Sequence, residues 1–207
     1  MQAWLGMNWR ALFLSPWAKP VVVLLLALPA VWLVYAAFND LLGANPAEAL
    51  TRSTGDWTLR ALCVVLAITP LRVLTATPAL QRFRRTLGVG TFVYACLHML
   101  CYAWFDQGLD LNDIWLDILK RPFIWLGFSG LVCMLPLAAT SFNAAIRYIG
   151  VKRWQLLHRL VYAVAVLAIL HFFWMRAGKN DFAEVAVYAV ILGSLLGWRV
   201  RQAIKNR

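Results

Sequence analysis

Read for apolar and polar positions, the chain falls into six apolar blocks separated by short polar stretches. They cover about residues 20–38, 57–74, 87–105, 122–140, 154–174 and 182–198. Each is about 20 residues long, the length a helix needs to cross a bilayer. The pattern predicts an all-α, polytopic membrane protein: one six-transmembrane-helix bundle over residues 1–207, with no room for a second, soluble domain. Pro20 is expected in the first turn of the first helix, Pro29 to kink it and Pro70 to bend the second. Residues 105–122, FDQGLDLNDIWLDILKRP, are expected to hold a short amphipathic segment on the membrane surface. Gly88 and Gly90 open an apolar span rather than follow a strand, so they read as helix-packing residues and not as a dinucleotide fingerprint.

Composition agrees with this reading. The chain is 62% hydrophobic, too apolar for a soluble domain of its length. Its net charge of +11 would suggest nucleic acid in a soluble protein. Here the charges alternate by loop. One set of loops carries Arg72, Arg82, Arg84, Arg85, Arg147, Lys152, Arg153, Arg199 and Arg201. The other carries all nine acidic residues, with only Arg52, Lys120, Arg121, Arg176 and Lys179 against them. Lysine and arginine mark cytoplasmic loops, so both termini are expected inside. The basic excess is then topology and attraction to lipid headgroups, and no nucleic-acid partner is expected. The first block reads as an uncleaved span rather than a signal peptide, since five more follow. Cys63, Cys96, Cys101 and Cys133 all fall inside spans and form neither CxxC nor CxxCH. They read as packing residues; disulfides, zinc and covalently attached haem are unsupported.

All three histidines, His98, His158 and His171, fall inside spans three and five. Ionisable side chains in a bilayer are costly and usually functional. Both spans run in the same direction. Measured from their flanking charges, His98 and His171 differ in depth by roughly 5–8 Å, in the outer half. On one straight helix His158 would stand about 20 Å below His171 and about 140° around from it. His98 and His171 are therefore the matched pair. Two neutral imidazoles from facing helices suit a non-covalent, b-type haem iron. Zinc wants three or four ligands, and no carboxylate or cysteine stands at matching depth. A proton relay usually includes intramembrane Asp or Glu, which these spans lack at mid-depth. His158 either ligates a second haem near the inner face or orients a quinone or flavin there. Arg84, Arg85, Lys152, Arg153 and Arg159 lie where they could pair with haem propionates or a flavin phosphate. The commoner role of such cations is to set topology.

The six-span layout, YACLHMLCY (94–102), TSFNAAIRYIGVKRWQLLHRLVY (140–162) and the thirteen-residue histidine spacing resemble the ferric-reductase-like transmembrane domain superfamily. TPLR (69–72), RRTLG (84–88) and WQLLHRLVY (154–162) make the chain similar to the MsrQ (YedZ) family within it. That resemblance implies a haem-binding bacterial inner-membrane subunit. It would pass electrons from the quinone pool, or from a cytoplasmic flavin donor, to a periplasmic molybdopterin methionine sulfoxide reductase (MsrP-like) that repairs oxidised proteins. It carries the ligand positions over as His98, His158 and His171, with one or two haems b, and it implies FMN. A haem-free transporter or assembly factor using intramembrane histidine is the alternative from another class. A self-contained ferric reductase would need an NAD(P)H- or FAD-binding domain, and none is expected in these residues.

Overall fold

The structure, a computed structural model, describes residues 9–178 and 180–205; Lys179, counted above on the acidic side, lies outside them. Among the described residues the regular structure is helical throughout, and six helical stretches are long and apolar enough to span a bilayer: Ala18–Phe38, Pro46–Leu74, Pro78–Asp106, Pro122–Ala139, Val151–Ala177 and Ala183–Lys205.

A short α1 (Trp9–Leu14) precedes α2 (Ala18–Phe38). Helix α3 (Pro46–Leu74) starts at residue 46, not near 57. The cause is local: Asn45 caps the Glu48 N–H, Pro46 fills the first turn and Glu48 suits the helix N-terminus. Hydropathy alone cannot see those polar turns as helix. A 3₁₀ turn at Pro78–Phe83 feeds α4 (Arg84–Cys101), whose continuation widens to a π-turn over Tyr102–Asp106. The expected surface segment is α5 (Leu111–Lys120), capped by Asp110 and seated through Ile114 and Ile118. After α6 (Pro122–Ala139) comes α7 (Asn143–Ile149). Gly150, at φ +83°, turns the chain into α8 (Val151–Leu157), a conformation that favours glycine. The fifth span is interrupted as an α-helix at two residues. His158 and Arg159 form a turn, and α9 (Leu160–Ala177) starts afresh after it. Both turn residues keep right-handed helical dihedrals, φ −69°, ψ −4° at His158 and φ −71°, ψ −17° at Arg159, so the chain continues in the same sense while the regular α-helical ladder is interrupted there. Last is α10 (Ala183–Lys205).

Two antiparallel pairs make the bundle: α3 packs along α4, and α6 along α9. They meet over a core of Leu59, Leu62, Leu66, Ala95, Met134, Val164, Ala165 and Phe172, which α10 completes with Val185 and Leu192. Helix α2 lies outside, against α3 and α4. Its Leu28 and Trp32, like Val187 and Val190 of α10, face outward and are exposed. Such apolar outer faces are what lipid solvates; the chain is a multi-pass membrane protein.

Three prolines lie inside helices, Pro29, Pro70 and Pro136, and at the first two a side chain from another helix serves the interrupted backbone. Near Pro29 the Tyr94 hydroxyl accepts from the Ala30 N–H (3.1 Å) and donates to the Leu26 carbonyl (2.7 Å). Pro70 cannot donate to the Leu66 carbonyl four residues back. Arg199 of α10 donates to it instead, and also to the Leu195 carbonyl. Gly90 is a packing glycine as expected, with Leu26 of α2 against it; Gly88 has nothing against it and opens onto a cavity.

Candidate functional site

His98 comes off α4 and His171 off α9, near the end of the bundle where the acidic residues gather. Their ring centroids are 6.1 Å apart and the planes cross at 74°. Each ring is tied by one nitrogen to a backbone carbonyl of the neighbouring helix. His98 Nδ1 lies 2.8 Å from the Thr51 oxygen of α3, and His171 Nδ1 lies 2.6 Å from the Phe123 oxygen of α6. A carbonyl only accepts, so both Nδ1 atoms carry the proton. Each Nε2 is left with its lone pair, the state in which an imidazole binds a metal. Two metal–nitrogen bonds of about 2 Å, with the two half-rings, add up to about 6 Å. The ring separation of 6.1 Å matches that sum, so both imidazoles could bind one ion. Among the described residues no three or more His, Cys, Asp or Glu side chains converge as a metal cluster. The pair thus suits a group that brings its own equatorial ligands, as haem does.

His158 stands apart from this pair. Its Nε2 is 3.1 Å from the Thr140 hydroxyl, and its ring stacks on Trp154 with centroids 4.0 Å apart. The Thr140 hydroxyl donates its only proton to the Pro136 carbonyl (2.6 Å), so it accepts from His158. His158 is therefore the opposite tautomer. Trp154, one helical turn earlier, donates its indole N–H to the Thr140 carbonyl (2.9 Å). Trp154 of α8 and His158 of the turn after it together clasp the end of α6.

Beside them, at the basic end, a cavity of about 460 Å³ opens between the two helix pairs. Arg84, Arg85, Arg159, His158, Gln81 and Gln155 contribute its polar lining, with Phe92, Met134 and Tyr162 among the apolar walls. Arg85 is steadied by Asn143 (2.8 Å). Of the five cations the sequence suggested, three therefore line the cavity. Lys152 and Arg153 do not: α8 turns them outward, and both are exposed.

At the acidic end, Asp117 of α5 accepts from the Tyr102 hydroxyl (2.8 Å), the Gln107 amide (2.9 Å) and Arg121 Nε (2.8 Å), fixing α5 over the end of α4. Arg176 joins α9 to α10 through Asp181 and Glu184.

Residues 54–169 match the family described as ferric reductase like transmembrane component. A protein of Polaromonas naphthalenivorans, named protein-methionine-sulfoxide reductase heme-binding subunit MsrQ, is 62% identical over 200 residues, covering 97% of this chain and 91% of its own. The chain belongs to the MsrQ family. The MsrQ protein of Ralstonia nicotianae is 55% identical, covering 88% of this chain and 85% of its own. The MsrQ protein of Caulobacter vibrioides is 42% identical, covering 83% and 81%. No solved structure matches the chain.

Sequence reasoning missed the residues behind the histidines. Thr51 and Phe123 act through main-chain oxygens, so their side chains give no sign of the role. Gly55 and Gly127, each four residues further on, lie directly against the imidazoles of His98 and His171. The one available signal was a glycine within a helical segment, one turn after each carbonyl.

Proposed function

We propose that this MsrQ-family chain is the electron-transfer subunit of a methionine sulfoxide reductase system, with haem b held between His98 and His171. The observation that carries the reading is the ring separation of 6.1 Å with both Nδ1 atoms engaged by carbonyls. Haem held by His98 and His171 would supply a one-electron iron couple. The protein's own part is to hold the two imidazoles 6.1 Å apart and to keep both in the metal-binding tautomer. A haem held by both imidazoles would suit electron passage better than oxygen chemistry.

Orientation follows from the cations. The end bearing Arg84, Arg85 and Arg159 faces the cytoplasm and the histidine pair lies toward the periplasm, in the bacterial inner membrane with both termini inside. Electrons enter at the basic cavity from a quinone or a flavin donor and leave beside α5 to a periplasmic molybdopterin partner. The guanidinium groups of the cavity suit an anionic edge, whether a second haem's propionates or the phosphate of FMN. The membrane-surface helix α5, fixed by Asp117, lies on the exit side.

The test is the reduced absorption spectrum of the purified protein and of its His98→Ala and His171→Ala variants. The expected result is a b-type spectrum that each substitution abolishes or converts. Full, unaltered haem in both variants defeats the reading. A colourless wild-type protein, purified from cells supplied with haem precursors, favours the haem-free transporter or assembly factor.

A further inference from the structure

The two halves of the histidine site are built alike. In α3 the Thr51 carbonyl takes the Nδ1 proton of His98, and Gly55 follows four residues later. In α6 the Phe123 carbonyl takes the Nδ1 proton of His171, and Gly127 follows four residues later. The carbonyl and its histidine are 47 residues apart in one case and 48 in the other. Residues four apart share a helix face. Each helix therefore presents a carbonyl and, one turn away, a position with no side chain.

That bare position is where the ring lies. A Cβ on Gly55 would sit 3.0 Å from His98 Cε1 and 3.1 Å from its Nδ1. A Cβ on Gly127 would sit 2.9 Å from His171 Nδ1 and 3.0 Å from its Cε1. Among the described glycines these are the two whose missing side chain an imidazole replaces; Gly88, Gly193 and Gly197, also in helices, have no neighbour there. Glycine weakens a helix interior relative to alanine, so two placed this way call for a compensating role. Helix packing does not supply it, because what approaches is the ring and not the partner helix's backbone.

We infer that Gly55 and Gly127 are positioning residues: each seats an axial imidazole against a main-chain carbonyl and so sets the basicity of the nitrogen offered to the iron. The inference rests on the haem reading above. A short Nδ1–H···O=C bond makes Nε2 a stronger donor, which favours the ferric state. A methyl group at either glycine pushes the ring off its carbonyl, lengthens that bond and makes the ferrous state easier to reach. Gly127→Ala acts more strongly than Gly55→Ala, because its Cβ comes nearest to the bonded nitrogen itself.

The experiment uses the full-length, haem-loaded protein and measures haem content, midpoint potential and the ferric low-spin resonance of Gly55→Ala, Gly127→Ala and the control Gly193→Ala. Higher midpoints and displaced g values in the first two, larger for Gly127→Ala, with the control at wild type, are expected. Haem-loaded variants that keep the wild-type potential and g values overturn the inference, as does an equal shift in the control. Where Gly127→Ala takes up no haem, the histidine 15N spectrum of the unloaded protein decides. Disturbance of the Nδ1–H tautomer of one ring supports the inference, and a wild-type spectrum overturns it. Failure of the underlying reading looks different: the wild type has no haem, or the histidine variants keep all of it.

Discussion

An imidazole has two nitrogens, and what occupies one decides what the other can do. His98 and His171 spend Nδ1 on carbonyls; His158 spends Nε2 on Thr140. That division predicts that His158→Ala leaves the low-spin spectrum of the His98–His171 site unchanged while any second haem is lost. Electron paramagnetic resonance of the ferric variant checks it, and disappearance of the outer-site signal would erase the separation between the two sites. The histidine pair was legible in the sequence because charged residues mark span ends and depth can be counted from them. The sequence could not show the tautomers, since the partners are main-chain oxygens that any residue supplies. Lys152 and Arg153 stand off the cavity, in line with the topology-setting role such cations more commonly have. Counting along one continuous helix also hides the turn at His158 and Arg159, where α8 gives way to α9. That turn carries no proline or glycine to announce it.

At the level of helices, the telling places are those where a proline breaks the backbone ladder. Tyr94 supplies both halves of the hydrogen bonding between Leu26 and Ala30. Tyr94→Phe is expected to lower stability by about 1–3 kcal/mol, the cost of leaving buried polar groups unmatched. Thermal unfolding in detergent reads it. Arg199 does similar work for the Leu66 carbonyl, which Pro70 leaves without its donor. A double-mutant cycle isolates this. Arg199→Ala is expected to destabilise by about 1–3 kcal/mol in the wild-type background and by clearly less once Pro70→Ala restores an N–H. Equal losses in both backgrounds would mean that Arg199 matters through its other contacts, the Leu195 carbonyl and the Tyr162 ring. The places where the ladder is interrupted were readable from the prolines. Their repair was not, because Tyr94 and Arg199 lie 68 and 133 residues from the carbonyls they serve.

For the molecule as a whole, the separation of charge predicts an orientation. Single cysteines placed at residues 110 and 152, in a background lacking the native four, should differ in labelling by an impermeant maleimide. Position 110 is expected to react on intact spheroplasts and position 152 only after permeabilisation. The reverse pattern would turn the molecule over and move the histidine pair to the cytoplasmic side. The number of spans and their rough limits were legible because a bilayer imposes one length on every crossing. Helix starts were less so: α3 extends into polar sequence because capping, not hydropathy, sets where it begins.

The pairing of α3 with α4, and of α6 with α9, bears on how the protein is made. Each pair is a hairpin that can enter the membrane as a unit and gather its own carbonyl, glycine and histidine before the other half arrives. The ligand shared between the halves would then act as the rivet. Chains cut between Leu109 and Asp110, ahead of the Asp110 cap of α5, should assemble from two co-expressed pieces. Biosynthesis would load the cofactor at the moment the halves close, and a cell short of haem would accumulate two correctly inserted hairpins with an open seam between them.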